Sequence, residues 1–140
     1  MIKVFGYVLI CLIGLPNVLK RDESHLVNRI VIHYIFSGTE TSYNISCKAI
    51  DMYAGTKGLM TEEIRNPQKI GEFMNSLRNY NKAPVMKAID VRAKAYIHYS
   101  RGTTSIMCVD RFGNFMLGDK IVGTSPLLLS FIEKNCKGFK

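Results

Sequence analysis

The clearest pattern of hydrophobic and polar positions runs from Val91 to Cys136. Val91, Ala93, Ala95, Ile97 and Tyr99 alternate with Arg92, Lys94, Tyr96 and His98. A period of two marks a half-buried strand, because successive side chains leave a pleated backbone on opposite faces. Arg101-Gly102-Thr103 interrupts the alternation, Ser105 to Arg111 resumes it, and Gly113-Asn114 turns the chain into a further strand over Phe115 to Val122. Earlier, Arg29 to Phe36 is β-branched and aromatic on both faces, which predicts a central or covered strand. After the turn composition of Ser37 to Thr41, Tyr43, Ile45, Cys47 and Ala49 alternate with Asn44, Ser46 and Lys48. This predicts a second strand over Ser42 to Met52, the partner of the first in a hairpin with one wet face. Tyr53 to Arg65 reads as the longest irregular stretch, loosened by Gly55 and Gly58, and loops of that kind carry function more often than strands do.

The periodicity changes to helical at two places. Asn66-Pro67 and Ser125-Pro126 each combine a capping side chain with a proline at the first helical position, where the missing N–H has no partner to lose. Ile70, Phe73, Met74 and Leu77 form one apolar stripe, and Leu127, Leu128, Phe131 and Ile132 form the other. Helices are expected over Pro67–Asn79 and Pro126–Asn135, with Val85 to Ile89 as linker. The order ββαβββα predicts a two-layer α+β domain: a mainly antiparallel sheet of about five strands with both helices on one face. Both stripes are then buried against Val91, Ala93, Ala95 and Ile97, and Arg92 and Lys94 face solvent on the other side, with Tyr96 between them and His98.

The N-terminus changes the expected compartment. Met1-Ile2-Lys3 is short and basic, Val4 to Leu15 is apolar, Pro16-Asn17 interrupts, and Lys20 to Glu23 is charged. The apolar run is shorter than the roughly 20 residues that span a bilayer and has the length of a secretory h-region. Residues 1–19 are therefore expected to be a signal peptide or an N-terminal membrane anchor, and residues 24–140 a single exported domain, whether periplasmic, in the cell envelope or secreted. Ile10 before Cys11 does not suit a lipoprotein signal. With Cys11 in that segment, Cys47, Cys108 and Cys136 remain, which allows one bridge and a spare thiol or three buried thiols.

Candidate chemistry is sparse. The chain has no phosphate-cradling glycine motif, no zinc-spaced cysteine or histidine pairs and no nucleophile elbow, so neither a cofactor, a metal nor a catalytic residue is assigned. His33 and His98 fall in different strands, and Asp110 sits at a strand end, where aspartate commonly caps a turn. Together they define one alternative, a small hydrolase or metal-dependent enzyme, which requires the three groups to converge on one reacting atom. The formal charge of +8 changes the picture more, because it favours an anionic partner. Arg92, Lys94, Tyr96, His98 and Arg101 lie along one strand and its turn and form the candidate binding face. Aromatics among basic side chains suit nucleic acid or an acidic polymer. Export argues against nucleic acid and for an anionic envelope polymer or an acidic protein.

The C-terminal half resembles a pattern of small exported or membrane-anchored bacterial proteins of unknown function. The matching pieces are Asn66-Pro67 with Ile70, Phe73 and Leu77, then Ala93 to Tyr99, then Asp110 to Asn114, then Ser125 to Leu128. The resemblance implies a fold habit and transfers no activity or site. The expectation is an exported, non-enzymatic binding domain, of inhibitor or immunity type or an envelope component.

Overall fold

The computed structural model describes residues 24–82 and 87–139. The expected targeting segment, and part of the linker before Ile89, lie outside the described residues. Among these residues, no helix is long and apolar enough to cross a membrane. Seven strands form one antiparallel sheet: β1 (Val27–Ile35), β2 (Leu59–Ile64), β3 (Asn81–Lys82), β4 (Val91–Tyr99), β5 (Thr104–Asp110), β6 (Asn114–Leu117) and β7 (Lys120–Thr124). Their order across the sheet is β2-β1-β4-β5-β6-β7-β3. Helices α1 (Pro67–Arg78) and α2 (Pro126–Asn135) cover one face, so the two-layer α+β architecture is as expected, with seven strands instead of five.

Both helices start as their sequences dictate. Asn66 Oδ1 accepts from the Lys69 amide at 3.0 Å, and Ser125 Oγ accepts from the Leu128 amide at 3.1 Å. Ser125 also donates to the Ser76 carbonyl at 2.7 Å, so a fully buried hydroxyl caps one helix and ties it to the other. Ile70, Phe73 and Leu77 meet Leu128, Phe131 and Ile132 over Ile30, Ile32, Ala93, Ala95, Met107 and Phe115. Phe73 and Phe131 pack edge to face with centroids 5.4 Å apart. Leu127 does not join them: it is 51% exposed. At about 100° per residue, Leu127 falls roughly 90° from the middle of the stripe made by Leu128, Phe131 and Ile132, at its margin beside the solvent.

The strand expected over Phe115 to Val122 is two, β6 and β7, folded back on each other at Gly118-Asp119, and two further expectations about the strands are corrected. The strand that follows β1 and pairs with it antiparallel is β2, within the stretch read as irregular, and Ser42 to Met52 is not a strand. Its apparent alternation is interrupted by a turn in which the Ala49 amide bonds the Ser46 carbonyl, followed by a short 3-10 helix, Ile50–Tyr53. The acidic Thr61-Glu62-Glu63 suits a strand because β2 is an edge. Its charges meet water and neighbours, as in the Glu63 contact to Arg65 at 2.7 Å, and charge discourages edge-to-edge association. Second, Val91 is buried on the face away from the helices. A bulge sets Val91 opposite Asp110 while Ala93 opposes Val109, which reverses the facing of the first residue of β4.

That second face carries its own small core. The segment from Phe36 to Gly58 leaves the end of β1, crosses the sheet and returns to β2. The Phe36 amide bonds the Gly58 carbonyl at 2.8 Å where its ends meet. Ile45 and Ile50 pack with Ile35, Ile89, Val91 and Cys108 beneath it. We refer to this segment as the strap.

Candidate functional site

The strap is attached through a run of seven residues, Ile45 to Asp51. The Ile45 amide donates to Asp90 Oδ1 at 2.9 Å, and its carbonyl accepts from the Val91 amide at 2.9 Å. Cys47 is joined to Cys108 of β5 by a disulfide, with Cα atoms 5.8 Å apart. Of the two arrangements open to the cysteines, the bridged one is formed, and Cys136 is left as a buried thiol that burial, with the Glu62 charge, pushes up to about 12. Ile50 is fully buried and starts the 3-10 turn. That turn aims Asp51 at the sheet.

Asp51 is the centre of the arrangement. Its Oδ2 accepts from Lys94 Nζ at 2.5 Å and from Tyr96 Oη at 2.6 Å, and its Oδ1 lies 3.0 Å from His33 Nδ1. An ionised carboxylate only accepts, so Nδ1 of His33 carries the proton in this contact. The three donors converge because of strand register. His33 of β1 is opposite Lys94 of β4, Val31 is opposite Tyr96, and all point away from the helices. The His33 and Tyr96 rings stand edge to face at 5.3 Å, and Lys94 Nζ lies 5.0 Å from the Tyr96 ring centroid.

The electrostatics move Asp51, Lys94 and Tyr96 away from neutral-pH chemistry. Burial works to raise the Asp51 carboxyl, but the bonds from Lys94, Tyr96 and His33, together with the Lys94 charge, hold it below its ordinary value. Burial works to lower the Lys94 ammonium, and the Asp51 and Tyr96 contacts outweigh it and raise it. Burial and the bond to Asp51 push the Tyr96 phenol up. General acid–base catalysis favours groups whose pKa is near the working pH. Here the carboxylate stays charged, the ammonium stays charged and the phenol stays neutral. The arrangement is suited to holding the strap in place.

The other expected site residues are dispersed. Lys94 is on the anticipated face but buried, with 8% of its side chain exposed. Buried charge must be paired, and Asp51 supplies the pair. Arg92 lies in the bulge and places Nη2 2.5 Å and Nε 3.0 Å from Asp90 Oδ2 instead of facing solvent. His98 is half-buried and bonds Thr104 Oγ1 at 3.0 Å, and Arg101 is exposed in the turn after β4. The alternative trio does not converge. His33 is opposite Lys94, four positions along β4 from His98, or about 13 Å at the usual rise of a strand. Asp110 accepts from the Phe112 and Asn114 amides at 2.8 and 2.9 Å and from the Asn114 side chain at 2.7 Å, so it closes the β5–β6 turn. Among the described residues no group of three or more His, Cys, Asp or Glu side chains is placed to hold a metal ion.

Asp51 was not among the expected residues, because the strand assigned to Ser42–Met52 left it near a strand end. One signal points to it. Lys94 falls between two alanines in a core strand and needs an acid, and Asp51 is the only acidic residue between Glu40 and Glu62.

The outer side of the strap is open. Tyr43 and Met52 are 84% and 82% exposed. With Ile45, Ala49, Tyr53 and Thr56 they line a mostly apolar groove of about 430 Å³. Lys48 precedes Ala49 and Lys57 follows Thr56, and both are exposed. Comparison of the chain with protein-family models, curated proteins and solved structures finds no match.

Proposed function

We propose that this chain is an exported, non-enzymatic binding domain that engages an acidic protein through the outer surface of the strap. The carrying observation is a long non-strand segment fastened by a disulfide and a three-donor carboxylate, while two of its large side chains, Tyr43 and Met52, stand in water. Long irregular segments in compact domains are uncommon and usually functional. A loop ordered in advance loses less entropy on binding. Exposed aromatic and methionine side chains are frequent anchors of interfaces. Lys48 and Lys57 beside the groove, in a chain of charge +8, favour carboxylates around that anchor. The candidate basic strand contributes less to this reading, since Lys94 and Arg92 are paired within the molecule. His98 and Arg101 remain as outlying positive or polar positions.

The disulfide supports export, because such bridges persist in oxidising compartments. The apolar run before Pro16 supports the same location. An inhibitor or immunity-type role fits a rigid loop presented by a small sheet.

The test uses the oxidised full chain immobilised against envelope proteins, compared with Tyr43→Ala/Met52→Ala and with Lys48→Glu/Lys57→Glu. An acidic protein retained by the wild type, lost by both double variants and released by raised salt is the expected result. Equal retention by all three forms overturns the strap as the binding surface. Retention of an anionic polysaccharide, unaffected by Tyr43→Ala/Met52→Ala, replaces the protein partner with a polymer.

A further inference from the structure

At the end of the sheet where the strap leaves β1, a second cleft has a different chemistry. It is polar, about 370 Å³ in volume, and lined by Thr39, Glu40, Thr41, Ser42, Arg92 and Arg111. Three hydroxyl-bearing residues and an acid form one wall, and two arginines form the other. An adjoining depression continues it along Ser37 and Gly38 and shares the two arginines.

The two arginines are incompletely paired. Both lean on one acid: Asp90 Oδ2 takes Nε and Nη2 of Arg92 and lies 3.6 Å from Nη2 of Arg111. The other oxygen of Asp90 is occupied by the Ile45 amide. A guanidinium carries five N–H donors, and this sharing leaves Nη1 of Arg92 and most of the Arg111 fork for a further acceptor. Arg92 is nearly buried, and its position is set by the β4 bulge and by Asp90. Half of the Arg111 side chain reaches solvent. One donor is therefore pre-positioned and the other can adjust.

Charge balance selects the ligand. Arg92 and Arg111 contribute two positive charges, and Asp90 and Glu40 two negative ones, so the site is neutral in sum but divided in space. A simple anion would satisfy the arginines and leave Glu40 facing a second negative charge. A dipolar molecule satisfies both walls. We infer that this cleft binds a small α-amino acid, with its carboxylate on Arg92 and Arg111, its ammonium toward Glu40, and its polar edges on Thr39, Thr41 and Ser42. This reading is independent of the strap groove, which lies on other residues, and survives or fails without it.

The experiment titrates the oxidised full chain, followed by NMR of the arginine Nε–H groups and the amides of residues 39–42, with glycine, serine and glutamate. Each is compared with its N-acetyl form, which lacks the ammonium, and its methyl ester, which lacks the α-carboxylate. Succinate serves as an anion without an amine. Free amino acids are expected to shift these signals saturably, the esters not at all, and the N-acetyl acids and succinate about tenfold more weakly. Arg111→Ala should weaken the free acids by about tenfold or more. Glu40→Gln, a change at an exposed position, should weaken the free acids and strengthen the N-acetyl acids, which no longer meet a second negative charge. Absence of saturable shifts overturns the site. Equal binding of free and N-acetylated acids overturns the amino-acid assignment, and binding indifferent to Arg111→Ala overturns the location.

Discussion

The two faces of the sheet are closed in different ways. The helix face is held by many interchangeable contacts: Phe73, Leu77, Leu128, Phe131 and Ile132 lie on a floor of Ile30, Ile32, Ala93, Ala95 and Met107. Polar side chains are few there: Ser125 and Ser76 at the helix junction, and the buried Tyr34, whose hydroxyl donates to the Lys137 carbonyl at 3.1 Å. The strap face is held at a few points between Ile45 and Asp51: a backbone bond to Val91 and one to the Asp90 side chain, one disulfide, two buried isoleucines and one carboxylate. Distributed apolar burial scales with area and tolerates small adjustment. Point attachments are specific, and each fails separately. The strap face thus combines a fixed backbone with an outer surface that packing does not consume, which is why the candidate binding groove lies there.

The contrast can be tested by weakening each face in turn. The largest expected effect is on the helix face. Phe73→Ala should destabilise the whole domain by about 3–5 kcal/mol, since the ring is fully buried and faces Phe131. Denaturant unfolding measures this, and a loss under 1 kcal/mol would mean that the helices do not form the main core. Next is the covalent attachment. Cys47→Ala/Cys108→Ala removes a bridge spanning 61 residues and should cost about 4 kcal/mol by loop entropy. Hydrogen exchange should then rise first in residues 45–53 and leave α1 and α2 protected. Uniform exchange across both faces would show that strap and helices unfold together.

Asp51→Asn comes third, with an expected loss of about 3 kcal/mol, the low end for breaking a buried pair because 34% of the Asp51 side chain reaches water. Lys94 is left buried without its counter-charge. Lys94→Met in the same background should recover part of the loss, and no recovery would place the cost elsewhere.

The pH dependence is a smaller and more selective version of the same experiment. Asp51 is lowered on folding, so its stabilisation is complete above the unfolded carboxyl value of about 3.9 and is lost as pH falls through the folded value. Lys94 is raised, so its share is complete below about 10.4 and is lost as pH rises through its folded value. With His33→Gln in both backgrounds, so that the imidazole beside Asp51 does not contribute, the stability difference between Asp51 and Asp51→Asn should be level between these limits and shrink on both sides. A difference that changes steadily through pH 5 to 9 would contradict the pairing. The smallest effect is expected for Tyr43→Ala/Met52→Ala, within about 0.5 kcal/mol of wild type, because both side chains are exposed. A larger loss would show that these residues serve the fold.

Much of the helix face was legible in the chain. The stripe Ile70, Phe73, Met74 and Leu77, the Asn66-Pro67 and Ser125-Pro126 starts, and the alternation from Ala93 to Ile97 are local signals whose period alone selects helix or strand and the buried side. They determined the α+β class and the placement of both helices on one face. Leu127 shows the limit, since an apolar residue at a helix start is assigned a side only when the helix docks.

The strap was decided by tertiary structure. The alternation of Tyr43, Ile45, Cys47 and Ala49 is the same whether the segment pairs as a strand or lies across a sheet, and only the available partner distinguishes them. The outer edge of β1 is taken by Leu59–Ile64, where Glu62 and Glu63 can remain near water, so the preceding segment crosses the open face. The pairing of Cys47 with Cys108, the bulge that turns Val91 away from the helices, and the meeting of His33, Lys94 and Tyr96 at Asp51 all depend on contacts between residues distant in the chain. The alternation put Lys94 on the face away from the helices and left it in solvent; the fold covered it with the strap and placed a carboxylate beside it, because a buried ammonium is stable only with a partner within hydrogen-bond reach.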